Sequence, residues 1–183
     1  MKLTLPSPIQ KVMGILNWKL GPEVLPKSQN LLVASLAAFA VAVFLRQAMD
    51  YSVLRAAASG LGSAAVLGAV AFLCAIVTGY RDRLTQTLCA LALGGAAVIF
   101  ITTCLRFLLV ISFIFADISQ EMPYVDVVQI ANFVLFPLFV WNVFVFAALF
   151  RRSFRPSVPV AFAIAIPLVF ILDYWVPAAF KSL

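Results

Sequence analysis

The sequence predicts an all-α membrane protein: a five-helix transmembrane bundle preceded by a short interfacial amphipathic helix. Three observations predict it. Of the 183 residues, 64% are hydrophobic and 11% charged, whereas an ordinary soluble domain is roughly 45–50% apolar and about 25% charged. The mean hydropathy is +1.10, and a chain of this size has too little interior to hide so much apolar surface from water. Finally, the apolar residues are gathered into long runs divided by short polar joints, and about 20 such residues in a helix cover a hydrocarbon core of roughly 30 Å.

Residues 1–30 form a mixed segment interrupted by Pro6, Pro8, Pro22 and Pro26. A cleavable signal would place an apolar stretch directly after the first cations and end in small residues, so the segment reads as a retained cytoplasmic tail. Ser7 and Pro8 followed by Gln10 supply a hydroxyl cap, a proline at the first helical position and a capping-box partner. Ile9, Val12, Met13, Leu16 and Leu20 then share one helical face, Lys11 and Lys19 lie off it, and Trp18 suits headgroup depth. A helix over about 8–20 lying along the membrane surface is predicted. The same stripe would serve a partner-binding helix, and a disordered tail is a further reading.

The five spans occupy residues 31–183. The first apolar run, Leu31–Leu45, is short; Ser28–Asn30 before it, Gln47–Met49 after it and a snorkelling Arg46 extend it to a span of about 29–48. The second, over 57–80, lies in a run without charge. The third, over 84–114, contains Arg106 and no turn signal, so it is one long tilted helix. The fourth, over 127–150, is rich in phenylalanine (Phe133, Phe136, Phe139, Phe144, Phe146, Phe150), and Pro137 predicts a kink. The fifth, over 158–180, carries Asp173 near its end. No joint is long enough to hold a separate domain.

Orientation follows from the cations. With the N-terminus cytoplasmic, the inner segments hold nine (Lys2, Lys11, Lys19, Lys27, Arg81, Arg83, Arg151, Arg152, Arg155) and the outer segments three (Arg46, Arg55, Lys181). The expected orientation is therefore N-terminus cytoplasmic and C-terminus on the outer side. The net charge of +6 is spent on this asymmetry, and no nucleic-acid partner is expected.

Small residues indicate how the helices pack where lipid gives no hydrophobic drive for association. Ala56, Gly60, Ala64 and Gly68 recur at intervals of four, continued by Ala71, Ala75 and Gly79, and Ala90 and Gly94 share that spacing in the third span beside Gly95. The second and third spans are expected to form a central antiparallel hairpin; the same stripe would also suit a homo-oligomer.

The charged and amide groups within the spans need partners, because a charge in the bilayer is expensive. Arg106 lies about 22 residues into its helix, roughly 33 Å at 1.5 Å per residue, near the outer interface. It either snorkels outward or pairs with Asp173, with Asp117 and Asp126 as other acceptors; a substrate or ion site is a third reading. Gln129 and Asn132 share a face of the fourth span and Asn142 lies deeper beside Trp141, all three reading as interhelical hydrogen-bonding groups.

Chemistry finds little support. The chain has no His, which removes the usual general base and most zinc and haem ligation. Cys74, Cys89 and Cys104 sit singly inside apolar runs and read as packing residues rather than as a redox pair. Asp126 and Asp173 lack the Asn-containing motifs of lipoprotein signal peptidases. Neither an enzyme nor a cofactor is expected.

The order of a cytoplasmic amphipathic segment followed by five closely spaced spans resembles the Yip family of small five-span membrane proteins, in particular its short bacterial relatives. The segment from Arg83 to Gly94, RLTQTLCALALG, also resembles a third-helix start in uncharacterised proteobacterial inner-membrane proteins. The resemblance implies a bacterial inner membrane, with the N-terminus cytoplasmic and the C-terminus periplasmic, and a role in membrane organisation or assembly. The expected function is a non-enzymatic accessory or scaffold protein, its partners the bilayer and another membrane protein or envelope complex. The alternative is a small transporter or channel subunit using Arg106, Asp173, Asn132 and Asn142.

Overall fold

Ser28 opens the first long helix: its Oγ accepts from the Leu31 N–H at 3.4 Å, satisfying one of the donors that a helix start leaves bare. In the computed structural model, which describes residues 10, 14–17, 21–115 and 124–182, this helix is α1 (Gln29–Gln47). Ser52 caps α2 (Val53–Thr78) in the same way, and Gly79 ends it in the left-handed conformation at φ 78. A single 3₁₀ turn, Arg81–Arg83, leads into α3 (Leu84–Phe115). Then come α4 (Tyr124–Val134), α5 (Phe136–Phe154) and α6 (Val158–Phe170). The last helix continues through a π turn, Ile171–Trp175, into α7 (Val176–Ala179). Among the described residues there is no strand. Five helical segments are long and apolar enough to cross a membrane, namely α1, α2, the α3 segment, α5 and the α6–α7 rod.

Two interruptions have a common cause. Proline offers no N–H and its ring clashes with the carbonyl four residues back. Pro137 therefore turns the expected kink in a span over 127–150 into a break at Leu135, where the Leu138 N–H reaches the Leu135 carbonyl in a tight turn, and α4 and α5 separate. The membrane-length helix is then Phe136–Phe154, ending at Arg155 in the left-handed region at φ 54. In the last rod, Pro167 and Pro177 bracket the π turn, and the Val176 N–H reaches back five residues to Ile171 O. The second helix begins at Val53 rather than 57, because the Ser52 cap draws Arg55 into its first turn.

The core is centred on α3, 56% of whose apolar window is buried against 22–44% for the other four. Its most extensive neighbour is α1, not α2, so the expected central hairpin of the second and third spans gives way to a layer in which α1 lies between them. Two glycines explain this. A Cβ on Gly60 of α2 would sit 2.5 Å from the Ala40 carbonyl oxygen, and one on Gly95 of α3 would sit 2.8 Å from the Phe39 ring. Both helices therefore spend their closest approach on α1. Phe39, Phe146, Phe150 and Leu91 are fully buried around Gly95, and α5 and α6 close the other side.

The small-residue stripe of α2 follows the helix rather than the interval of four. Each step of four advances about 40° beyond a full turn at 3.6 residues per turn, so a strict i+4 row drifts off the contact face. Ala56, Gly60, Ser59, Ser63, Leu67, Ala71 and Ala75 are buried, Ala64 is partly buried, and Gly68 faces open space. Ala90 is fully buried, and Gly94 packs against Val145 and Leu149 of α5.

Of the expected interfacial stripe, Ile9, Val12, Met13, Trp18 and Leu20 lie outside the described residues. Leu16 is helical and buried in the core beside Ile15, so it makes protein contacts where lipid contact was expected.

Candidate functional site

At the end of the bundle where α1 joins α2, four charged side chains from four segments converge. Arg46 projects from the last turn of α1, Asp50 from the α1–α2 joint, Arg106 from the last third of α3 and Asp173 from the π turn. They form two ion pairs. Arg106 meets Asp50 end-on, Nη1 to Oδ2 and Nη2 to Oδ1, each at 2.7 Å. Arg46 Nη1 lies 2.8 Å from Asp173 Oδ1. The expected Arg106–Asp173 pair is thus replaced by a partner exchange with the joint. Arg106 neither snorkels freely nor reaches Asp173, because Asp50 supplies a fork-matched carboxylate one helix closer.

Local structure sets each position. The Ala48 and Tyr51 N–H groups stay bonded to Phe44 and Gln47 carbonyls, so the chain leaves α1 as one further turn that aims Asp50 at α3. The π turn adds a residue to the backbone ring and brings Asp173 to Arg46 instead of leaving it on the lipid side. Arg55 then fastens the joint to the last rod: its Nε and Nη2 donate to the Pro177 carbonyl at 3.3 and 3.1 Å, and its guanidinium stacks on Tyr51 at 3.7 Å from the ring centroid.

These residues line a cavity of about 260 Å³. Its polar lining is the two ion pairs, Gln47, Thr102, Asn132 and Asn142, and its apolar lining includes Leu135, Phe136, Leu138 and Phe139 at the α4–α5 break. Thr102 turns its hydroxyl back to the Val98 carbonyl at 2.8 Å. Asn142 and Arg106 are 5% and 6% exposed, and each keeps one buried atom without a hydrogen-bond partner, Asn142 Oδ1 and Arg106 Nε. Buried polar groups are nearly always bonded, so the cavity residues keep one donor and one acceptor open to a further partner.

Of the residues singled out from sequence, the fold brings Arg106, Asp173, Asn132 and Asn142 together and leaves out Gln129, which is exposed on α4. Sequence reasoning missed Arg46 and Asp50 as members. The signal was present: both stand at the same end of the bundle as Arg106 and Asp173, with two charges of each sign at one depth.

Among the described residues, the lining of this cavity stops short of the opposite end of the bundle. Beyond Val98, Ile99 and Asn142 come Gly95 with Phe39 and Phe146 against it, then Leu91 and Phe150, all in contact distance or fully buried.

Fold and cavity together define a multi-pass helical membrane protein with a polar chamber at one end. No protein-family model, curated protein or solved structure matches the chain.

Proposed function

We propose that this chain is a non-enzymatic accessory or scaffold protein of the bacterial inner membrane, supporting the assembly or organisation of a membrane complex. The observation that carries the reading is the closed half of the bundle. With Phe39 and Phe146 pressed on Gly95, the described residues of a single chain form a chamber without a route across, which suits docking better than conduction. The orientation, N-terminus cytoplasmic, is supported by the side-chain distribution: Lys27, Arg81, Arg83, Arg151, Arg152 and Arg155 share the end opposite the chamber, as the positive-inside rule asks. The chamber then opens on the periplasmic side. The likeness to the Yip family in helix layout agrees with an organising role.

Crosslinking in cells followed by gentle extraction tests the reading. Co-purification with a larger envelope complex is expected; a chain that stays alone under both treatments overturns it.

The chamber itself favours a second reading, a small transporter or channel subunit whose pathway is completed in an oligomer. Neutralising Arg106 and Asp173 together should then abolish flux in liposomes while the protein stays folded, and absent or unchanged flux rejects it.

A further inference from the structure

We propose that the chamber is a binding site for a zwitterionic ammonium–phosphate headgroup, supplied by a phospholipid of the ethanolamine type. Four observations specify the guest. Two arginines and two aspartates line the chamber, so the wall carries no net charge. A guest with net charge would leave an uncompensated ion in a part-buried place, which costs more than its contacts return.

The second observation is the pair of orphan atoms. Arg106 has both terminal nitrogens on Asp50 and keeps its Nε–H unpartnered, while Asn142 keeps its Oδ1 unpartnered. A guest that satisfies both must therefore accept from one and donate to the other, each atom being uncovered by a small side-chain rotation. A phosphate oxygen takes the Arg106 Nε–H. A primary ammonium, with three donors, reaches Asn142 Oδ1 and the second oxygen of Asp173, whose Oδ1 already holds Arg46.

Third, the size fits. At about 30 Å³ per water, a chamber of about 260 Å³ takes a handful of waters or one headgroup. Fourth, the lining also includes Leu135, Phe136, Leu138 and Phe139, and Phe136 is 57% exposed at the α4–α5 break. An apolar surface running from a polar chamber to the outside of a membrane bundle suits an acyl chain, and so favours the lipid over the free headgroup.

The test uses the full chain purified in detergent, with lipid retention read by native mass spectrometry and protection by thermal shift. The probes are an ethanolamine phospholipid, its choline analogue, an anionic glycerol phospholipid and free phosphoethanolamine. The ethanolamine lipid should bind at least tenfold more tightly than the other two lipids, because choline keeps the charge and loses every N–H donor. Asn142→Leu removes the orphan acceptor without touching either ion pair; it should fold with an undiminished Tm and lose that preference at least tenfold. Free phosphoethanolamine protecting as well as the lipid would keep the chemistry and move its source to solution. Equal retention of all three lipids, or an Asn142→Leu variant that binds as the parent does, overturns the proposal in favour of a chamber holding water only. None of these readouts depends on a protein partner, so failure here is distinct from failure of the accessory reading.

Discussion

Arg106 and Asp50 face each other across 56 residues of sequence, the two terminal guanidinium nitrogens each donating to one carboxylate oxygen at 2.7 Å. The arginine side chain is 7% exposed and the aspartate 28%, so losing the aspartate strands a buried charge, whereas losing the arginine strands one that water can reach. Asp50→Asn should therefore destabilise more than Arg106→Gln, the first by about 1–3 kcal/mol and the second less because of solvent screening. The double variant should recover part of the loss. Thermal unfolding of the four proteins in one detergent gives the coupling; additive effects would show that the two side chains do not act as a pair.

Gly60 and Gly68 stand two turns apart on α2 and should respond oppositely to alanine. At Gly60 the new methyl meets the Ala40 carbonyl oxygen at 2.5 Å, a backbone atom that moves only if α1 moves, and overpacking of this kind costs about 1–3 kcal/mol. At Gly68 nothing lies within 4 Å, and alanine favours a helix over glycine by up to about 1 kcal/mol. Gly60→Ala should lower the Tm and Gly68→Ala should leave it level or raise it. Equal responses would remove the α1–α2 contact as the reason for the stripe.

The contrast also marks how far the sequence could be read. Five runs of apolar residues were legible as a helical membrane bundle because length and hydropathy are local properties. Small residues at intervals of four were legible as a packing stripe, but not which helix they receive: that depends on Phe39 and Ala40 arriving at Gly95 and Gly60, a fact of three helices at once. The chamber was half legible. Arg106, Asp173, Asn132 and Asn142 stood out as polar groups inside spans, whereas Arg46 and Asp50 looked like ordinary residues at a helix end. The break at Leu135 and the π turn at Asp173 re-aim side chains by local backbone changes that hydropathy does not record.

Ser59 and Ser63 of α2 are fully buried, and among the described residues their hydroxyls have no hydrogen-bond partner. A hydroxyl desolvated without a partner costs free energy that a methyl does not. Ser63→Ala and Ser59→Ala should each be neutral or stabilising by up to about 1 kcal/mol, read as an equal or higher Tm. A loss above that size would reveal a bond made by one of these hydroxyls in the membrane.

Arg55 combines two contacts that lysine cannot make together: a forked approach to the Pro177 carbonyl at 3.3 and 3.1 Å, and a planar stack on Tyr51. Arg55→Lys should therefore lose most of what Arg55→Ala loses, about 1 kcal/mol, despite keeping the charge. A lysine variant as stable as the parent would show that charge alone, and not the fork, ties the α1–α2 joint to the last rod.

At the opposite end of the bundle, Gln86 in the first turn of α3 donates from Nε2 to the Leu25 carbonyl at 2.7 Å. Leu25 is buried in the core just after the 3₁₀ turn Pro22–Val24, while Lys27, two residues on, is exposed. The bond therefore fixes the stretch that carries the chain into α1, and its loss should be felt as local opening rather than global unfolding. In Gln86→Leu the Leu25 carbonyl is left without its donor. A local cost of about 1 kcal/mol raises the open population roughly fivefold, so limited trypsin digestion should cut after Lys27 about that much faster. The Tm of the bundle should barely move, since α1, α3 and α5 keep their packing around Gly95. Unchanged cleavage would show that Leu25 packing alone holds the segment; a large fall in Tm would make it part of the cooperative core.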